Sequence, residues 1–344
     1  MQMSMRWYGG DDPVSLQHIR QIPGVIGIVS ALHGLKPGEL WTVEQVAVHR
    51  AEIEAVGLRW LVAESIPMHE SIKLGLPERD QHIEIYQQSI RNIGEQGVRV
   101  LCYNFMPVFS WMRTDLAMPL ADGSTTLAFS HAVMNQYDLS KGTGSLRGSD
   151  EFFTGEELTG MVAAYQAVGE KNLFENMAYF LKAVVPVAEE ADVLLALHPD
   201  DPPWPIFGLP RVVRDAATIQ RILDVVDSPY NGITFCTGSL GASPANDLPA
   251  MIRQFAHRVH FAHVRNVKTT GDREFHETEH PSQFGDVDMR EVITALLAVG
   301  FDGPIRPDHG RMIWGEGGNP GYGLFDRALG ATYLQGVIEG LTRP

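Results

Sequence analysis

Cysteine is scarce in this chain. Only Cys102 and Cys236 occur among 344 residues, they lie in separate apolar runs, and no secretory leader precedes them. That excludes a disulfide scaffold and points to a reducing cytoplasm. Basic runs are missing too. Lysine and arginine number 27 against 42 aspartates and glutamates, a formal net charge of −15. Without a basic patch, neither nucleic acid nor an anionic membrane surface is an expected partner. No uninterrupted apolar stretch reaches membrane-spanning length, and the opening MQMSMRWYGG has no apolar leader segment and no Arg-rich amphipathic pattern. What is present is a hydrophobic fraction of 44% with only 20% charged residues, enough for a substantial core and against disorder. An acidic, water-soluble enzyme fits this composition.

Short apolar runs recur along the chain, each followed by a polar loop and a stretch of helical periodicity. The runs are RWYG at 6–9, GVIGIVSAL at 24–32, RWLVAES at 59–65, RVLCYNF at 99–105, VLLALHPD at 193–200, GITFCTGS at 232–239, VHFAHVRN at 259–266 and GPIRPDHG at 303–310. Helices are expected at 42–56, 80–96, 172–190, 217–227, 247–257, 288–299 and 324–340. Near-continuous apolar strands alternating with helices indicate a parallel sheet covered on both faces, and eight of them fit a (β/α)8 TIM barrel. The first, RWYG, is the weakest. A doubly wound open sheet is the competing architecture, but the first strand–helix turn lacks the glycine-rich dinucleotide fingerprint. The rhythm breaks only from about 107 to 170, which is too long for an ordinary connection. We expect one domain over 1–344, with 107–170 inserted after the fourth strand and overhanging the barrel mouth as a lid.

The stretch FHETEHP at 275–281 spells H-E-x-x-H with His276, Glu277 and His280. That motif binds zinc only on a helix, where i, i+4 spacing puts both imidazoles on one face. Here the polar KTTGDRE precedes it and Pro281 directly follows His280, which disfavours helical dihedrals there. A zinc protease is not expected.

Four consecutive strand candidates each end in a potential metal ligand: His198, Cys236, His263 and Asp308. In a barrel the C-terminal strand ends converge on one mouth, so these residues can meet although far apart in sequence. Alternation along the third of these strands puts His263 on the face of Phe261 and Val259, and His260 on the other. Two imidazoles, a thiolate and a carboxylate suit zinc, iron(II) or manganese(II) better than magnesium. At the same mouth His309 follows Asp308, Arg265 lies two residues beyond His263, and Tyr322 sits in the turn-rich GGNPGYG. Arg265 could be half of a structural ion pair or a bidentate fork for a substrate carboxylate. Asn104, in YNFMP, adds an amide that could contact substrate.

The motifs DPVSL, ESIPMHE, CYNFMPV, HPDDPP, GLPR, CTGS, RPDHG and NPGY, in that order, resemble the D-mannonate dehydratases of hexuronate degradation, built on the xylose-isomerase-like barrel. FHE..H followed by GDVDM also belongs to that pattern. The resemblance runs from about residue 6 to 340. It implies a hydro-lyase using manganese(II) or iron(II) that converts D-mannonate to 2-dehydro-3-deoxy-D-gluconate and water in glucuronate catabolism. It puts the metal ligands on His198, Cys236, His263 and Asp308 and the acid/base pair on His309 and Tyr322. A small sugar acid is then the partner, and a homo-oligomer, a dimer, is expected. Arg265, His276 and Asn104 are the expected substrate contacts. The competing activity is a metal-dependent sugar isomerase or epimerase on the same barrel, whose sites are usually richer in carboxylates. A non-catalytic sugar-acid binding protein is a further alternative.

Overall fold

The structure, a computed structural model, describes residues 1–141, 147–149 and 155–342. In chain order its strands are β1 (Gln2–Arg6), β2 (Gly27–Ser30), β3 (Arg59–Glu64), β4 (Val100–Tyr103), β5 (Phe109–Arg113), β6 (Asp115–Pro119), β7 (Thr125–Ser130), β8 (Arg147–Ser149), β9 (Leu194–Leu197), β10 (Asn231–Cys236), β11 (Val259–His263), β12 (Val267–Gly271), β13 (Glu274–Glu277) and β14 (Pro304–Arg306). Eight of them close into a barrel in the order β1-β14-β11-β10-β9-β4-β3-β2. All pairings around the barrel are parallel. This is the expected (β/α)8 barrel.

The first strand lies earlier than RWYG at 6–9. Met3 and Met5 enter the core against the outer helices, while the alternate residues Ser4 and Arg6 are buried polar groups. Ser4 Oγ donates to the Ile305 carbonyl and Arg6 Nη1 to those of Trp7 and Val29. A polar inner face breaks the continuous apolar run that marks a buried parallel strand.

Most helices begin where a side chain can accept from an exposed backbone N–H. Thr42 and Gln45 form a capping box ahead of Val43–Glu54, Asp215 and Thr218 do so ahead of Ala216–Leu223, and Asp288 caps Met289–Ala298. Helices and strands bury one large core, whereas the barrel interior holds a small separate cluster of Val29, Val62, Val100, Cys102, Ala196 and Phe261. That cluster closes the barrel beneath the mouth, so chemistry is confined to the C-terminal strand ends.

The long insertion is more ordered than its composition suggests. Its TTLAFS stretch is β7, with Leu127 and Phe129 buried, and it joins an antiparallel sheet of order β12-β13-β7-β6. Strands β5 and β8 pair separately. The helix expected from 172 starts at Gly155 and runs to Glu190, broken only at Gly169, whose φ of 69° is outside helical space. The loop thus ends some fifteen residues earlier than 170. GTGSLRGSD at 142–150 falls largely outside the described residues.

One buried and one half-buried histidine have a measurable consequence. Burial pushes His260 down to about 4, and burial together with Arg6 does the same for His49. His49 stacks on Trp7 and meets Trp60 edge-on, and His260 Nδ1 lies 2.7 Å from the Leu195 carbonyl. Both must be neutral in the folded chain but protonate near 6.5 when it unfolds. The unfolded state therefore binds more protons below pH 6.5, and stability falls as pH drops from 6.5 towards 4. Each histidine contributes a slope of up to about 1.4 kcal/mol per pH unit. Urea unfolding at pH 7, 6 and 5 should record this decline, and His260→Gln should flatten it. An unchanged slope in that variant would remove His260 from the account.

Candidate active site

At the C-terminal mouth, β9, β10, β11 and β14 end side by side. His198 directly follows β9, Cys236 and His263 are the last residues of β10 and β11, and Asp308 lies two residues past β14. Ligand atoms of His198, Cys236 and His263 all lie within 4.8 Å of one another. Asp308 stands 3.7 Å from both Cys236 Sγ and His263 Nδ1. Its φ of 63° is left-handed, a conformation aspartate tolerates better than most residues.

The donor chemistry fits a divalent ion. His198 Nδ1 is 2.7 Å from the Pro199 carbonyl, so it carries the ring hydrogen and leaves Nε2 as a lone pair, 3.2 Å from His263 Nδ1. Burial lowers the His198 pKa, favouring the neutral ring a metal needs. Burial alone would raise the Asp308 carboxyl, but His309, Arg306, His263 and Arg265 hold it well below the usual range. Cys236 Sγ receives the Ser239 N–H at 3.4 Å, with Ser239 Oγ at 3.1 Å and Arg265 Nη2 at 3.8 Å. A second trio, Glu64, Cys102 and His263, is equally close. Burial, and next Glu64, pushes the Cys102 thiol well up, which disfavours a thiolate there.

Beside this group is a cavity lined by Asn104, His198, Arg306, Asp308, His309 and Tyr322 among others. Tyr322 Oη and His309 Nε2 are 2.9 Å apart, and both residues are buried. Burial drives the Tyr322 phenol well above its ordinary value. The insertion contributes Ser110 and Trp111 to the lining, and the Trp111 ring lies 4.9 Å from that of His309. The overhanging segment therefore forms part of the wall.

Two expected substrate contacts are positioned otherwise. Arg265 does not line the cavity: its guanidinium is 2.8 Å from Asp201, 2.7 Å from Glu277 and 3.3 Å from Asp308, all buried. The structural ion pair, not the substrate fork, is what this arginine forms. It can lie there because Gly238 has no side chain; a Cβ would sit 2.0 Å from Arg265 Nε. His276 lies on β13 opposite Lys268 and Ala128 and is not among the cavity residues. Alternation turns its neighbour Glu277 inward instead. His280 is buried, with Nε2 2.6 Å from the Pro307 carbonyl. FHETEHP is thus a hairpin strand and the loop after it, not a helix.

Glu277, Asp201, Arg113, Glu64 and Arg306 also belong to the site, although no role there follows for them from the sequence pattern. Arg113 grips Asp201 through both nitrogens at 2.8 and 3.1 Å and Glu277 at 2.6 Å. Burial opposes ionisation of Glu277, but Arg265, His309 and Arg113 bring its pKa down to about 2. The available signal was GDR at 271–273, a turn between polar strands that puts Glu277 on the face opposite His276.

Fold and site define a barrel enzyme with a candidate divalent-metal centre and a neighbouring His–Tyr pair. The model of the D-mannonate dehydratase (UxuA) family matches residues 1–344. The chain belongs to the D-mannonate dehydratase family and, with it, to the hydro-lyases. A mannonate dehydratase of Thermotoga petrophila is 51% identical, covering 100% of this chain and 98% of the relative. The crystal structure of mannonate dehydratase from Streptococcus suis serotype 2 superposes with a TM-score of 0.93 at 47% identity, covering 100% of this chain and 95% of that one. A D-psicose 3-epimerase from Clostridium cellulolyticum H10, at 12% identity and a TM-score of 0.59 over 98% of this chain and 99% of its own, shares the fold alone. Among the described residues no helix is long and apolar enough to cross a membrane.

Proposed function

We propose that the chain dehydrates D-mannonate to 2-dehydro-3-deoxy-D-gluconate and water, with manganese(II) or iron(II) held by His198, Cys236, His263 and Asp308. The observation that carries this is the convergence of two imidazoles, a thiolate and a carboxylate beside the buried His309–Tyr322 pair, in a chain of this family. The bound ion would supply Lewis-acid polarisation of the substrate's carboxylate or hydroxyl oxygens. Loss of water needs a group that accepts the C2 proton and one that protonates the departing C3 hydroxyl. The resulting enol becomes the 2-keto acid by moving its hydroxyl proton away and taking one at C3. His309 and Tyr322 share the acid and base tasks.

Arg306 is the cation we assign to the substrate's carboxylate, although its Nη2 is already taken by Glu64 at 3.0 Å and Asp308 at 2.9 Å. It lines the cavity, and its Nε and Nη1 have no hydrogen-bond partner among the described residues. Asn104, also in the lining, is assigned to a substrate hydroxyl. The product serves hexuronate catabolism, and the buried free Cys102 and the Cys236 ligand suit a reducing cytoplasm. A homodimer, expected from the resemblance, is measured by light scattering.

The test is an anaerobic assay of metal-stripped enzyme with D-mannonate and manganese(II), iron(II), zinc or magnesium. A 2-keto product should appear with manganese or iron. An epimeric aldonate without loss of water, or no turnover with any ion, overturns the reading.

A further inference from the structure

The carboxylate at the centre of H-E-x-x-H has no zinc to serve, yet two arginines and a histidine converge on it. Glu277 is buried, and its Oε1 receives Arg113 Nε at 3.0 Å, Arg113 Nη2 at 2.6 Å and Arg265 Nη1 at 2.7 Å. Both of its oxygens also face one nitrogen of His309, Nδ1, at 2.9 and 3.0 Å. The other ring nitrogen, Nε2, meets Tyr322 Oη. Carboxylate, imidazole and phenol form a continuous line from the hairpin to the cavity.

We infer that Glu277 is a positioning residue that fixes the orientation and tautomer of His309, holding the ring hydrogen on Nδ1 so that Nε2 presents its lone pair to Tyr322 and the cavity. The inference rests on the assignment of His309 to the reaction made above.

The reason lies in donor arithmetic. A carboxylate only accepts and a guanidinium only donates, so the partner of Nδ1 decides which ring nitrogen carries the hydrogen. Arg265 Nη1 is itself 2.7 Å from Nδ1. Guanidinium and carboxylate therefore compete for Nδ1; with both Glu277 oxygens facing that nitrogen, Nδ1–H donates to the carboxylate and the Arg265 Nη1 hydrogen turns from the ring to Oε1, 2.7 Å away. Without that anion, Arg265 donates to Nδ1 and the ring hydrogen moves to Nε2. The side facing Tyr322 then holds a hydrogen where it held a lone pair.

Glu277 is held from two directions. Thr126 Oγ1, on β7 of the insertion, donates to its backbone carbonyl at 2.9 Å, and β13 pairs with β7 through His276 and Ala128. Arg113, on β5, bridges Glu277 to Asp201 beyond the end of β9. The inserted segment thus builds the device that aims the histidine, in addition to walling the cavity.

The experiment is a double-mutant cycle on the metal-loaded enzyme with D-mannonate. Glu277→Gln should lower kcat by about 10²–10⁴-fold, the scale of a misdirected catalytic histidine, with KM and bound metal within about threefold of normal. His309→Asn should lose as much, and the double variant should be no slower than His309→Asn alone, because residues acting as one unit are not additive. Glu277→Asp keeps the charge that Arg113 and Arg265 need, but draws it back from the ring. It should fold and show an intermediate loss, and it replaces Glu277→Gln in the cycle if that variant does not fold. Multiplicative losses in the double variant overturn the inference while leaving His309 in the reaction, as does a fall in bound metal that accounts for the lost rate. If His309→Asn keeps most of its activity, the assignment of His309 fails and this inference falls with it.

Discussion

Replacing His309 by asparagine, or Tyr322 by phenylalanine, is expected to lower kcat on D-mannonate by about 10²–10⁴-fold, the usual worth of a positioned general acid or base. The two residues are 2.9 Å apart, and both line the cavity beside the candidate metal ligands. Neither belongs to the group of ligand atoms within 4.8 Å of one another. Bound metal should therefore stay near normal while turnover collapses. Tyr322→Phe removes one oxygen and leaves the ring, so its edge-on contacts with Tyr8 and His309 persist and folding should be little affected. Steady-state kinetics together with metal analysis on the same preparation check this. A variant that keeps most of its turnover removes that residue from the chemistry, and one that loses metal in proportion to rate makes it a structural support of the centre.

The second large effect is expected at Cys236. Cys236→Ser exchanges a soft thiolate for a hydroxyl that is not ionised near neutrality, and it should weaken metal binding by at least about 100-fold, since losing even an outer-shell partner costs 10–100-fold. Activity should fall in parallel and recover partly at high metal concentration. Cys102→Ser is the matched control. Cys102 sits in the barrel interior beside Val62, Val100 and Phe261, 3.2 Å from Thr234 Oγ1, and burial keeps its thiol protonated. Its replacement should cost modest stability and leave metal affinity unchanged. Weakening by Cys102→Ser with little change in Cys236→Ser would mean that the ion belongs to the trio of Glu64, Cys102 and His263. Titration of stripped enzyme with manganese(II), followed by electron paramagnetic resonance, separates the two cases.

Much of the architecture was legible because a parallel barrel writes itself as apolar runs alternating with amphipathic helices. Six of the eight barrel strands fall within the runs named from the sequence, and β10 begins one residue before its run. The eighth was displaced because Ser4 and Arg6 turn polar side chains inward where the other strands are mostly apolar. The insertion hid its strands for a related reason. Sheet β12-β13-β7-β6 is antiparallel and partly exposed, and β6 alternates exposed and half-buried residues with no apolar run to betray it.

The candidate ligands could be named from sequence because barrel closure sends every strand end to one mouth, so a residue's place at the end of its strand already says which neighbours it will meet. His198, Cys236, His263 and Asp308 follow that rule. Their partners do not. Arg113 meets Glu277 across 164 positions and Asp201 across 88, and Arg265 could be a substrate fork or an internal ion pair until Gly238 is seen to open the space it occupies. The letters H-E-x-x-H likewise carry no fixed chemistry. On a helix they would put two histidines on one face, whereas on β13 alternation puts His276 on one side and Glu277 on the other. Sequence by itself determined the barrel and the residues at its strand ends, since both follow from local periodicity and closure. The tertiary structure alone decided which buried charges neutralise one another and which remain for a substrate, because that depends on distances between segments that no local pattern encodes.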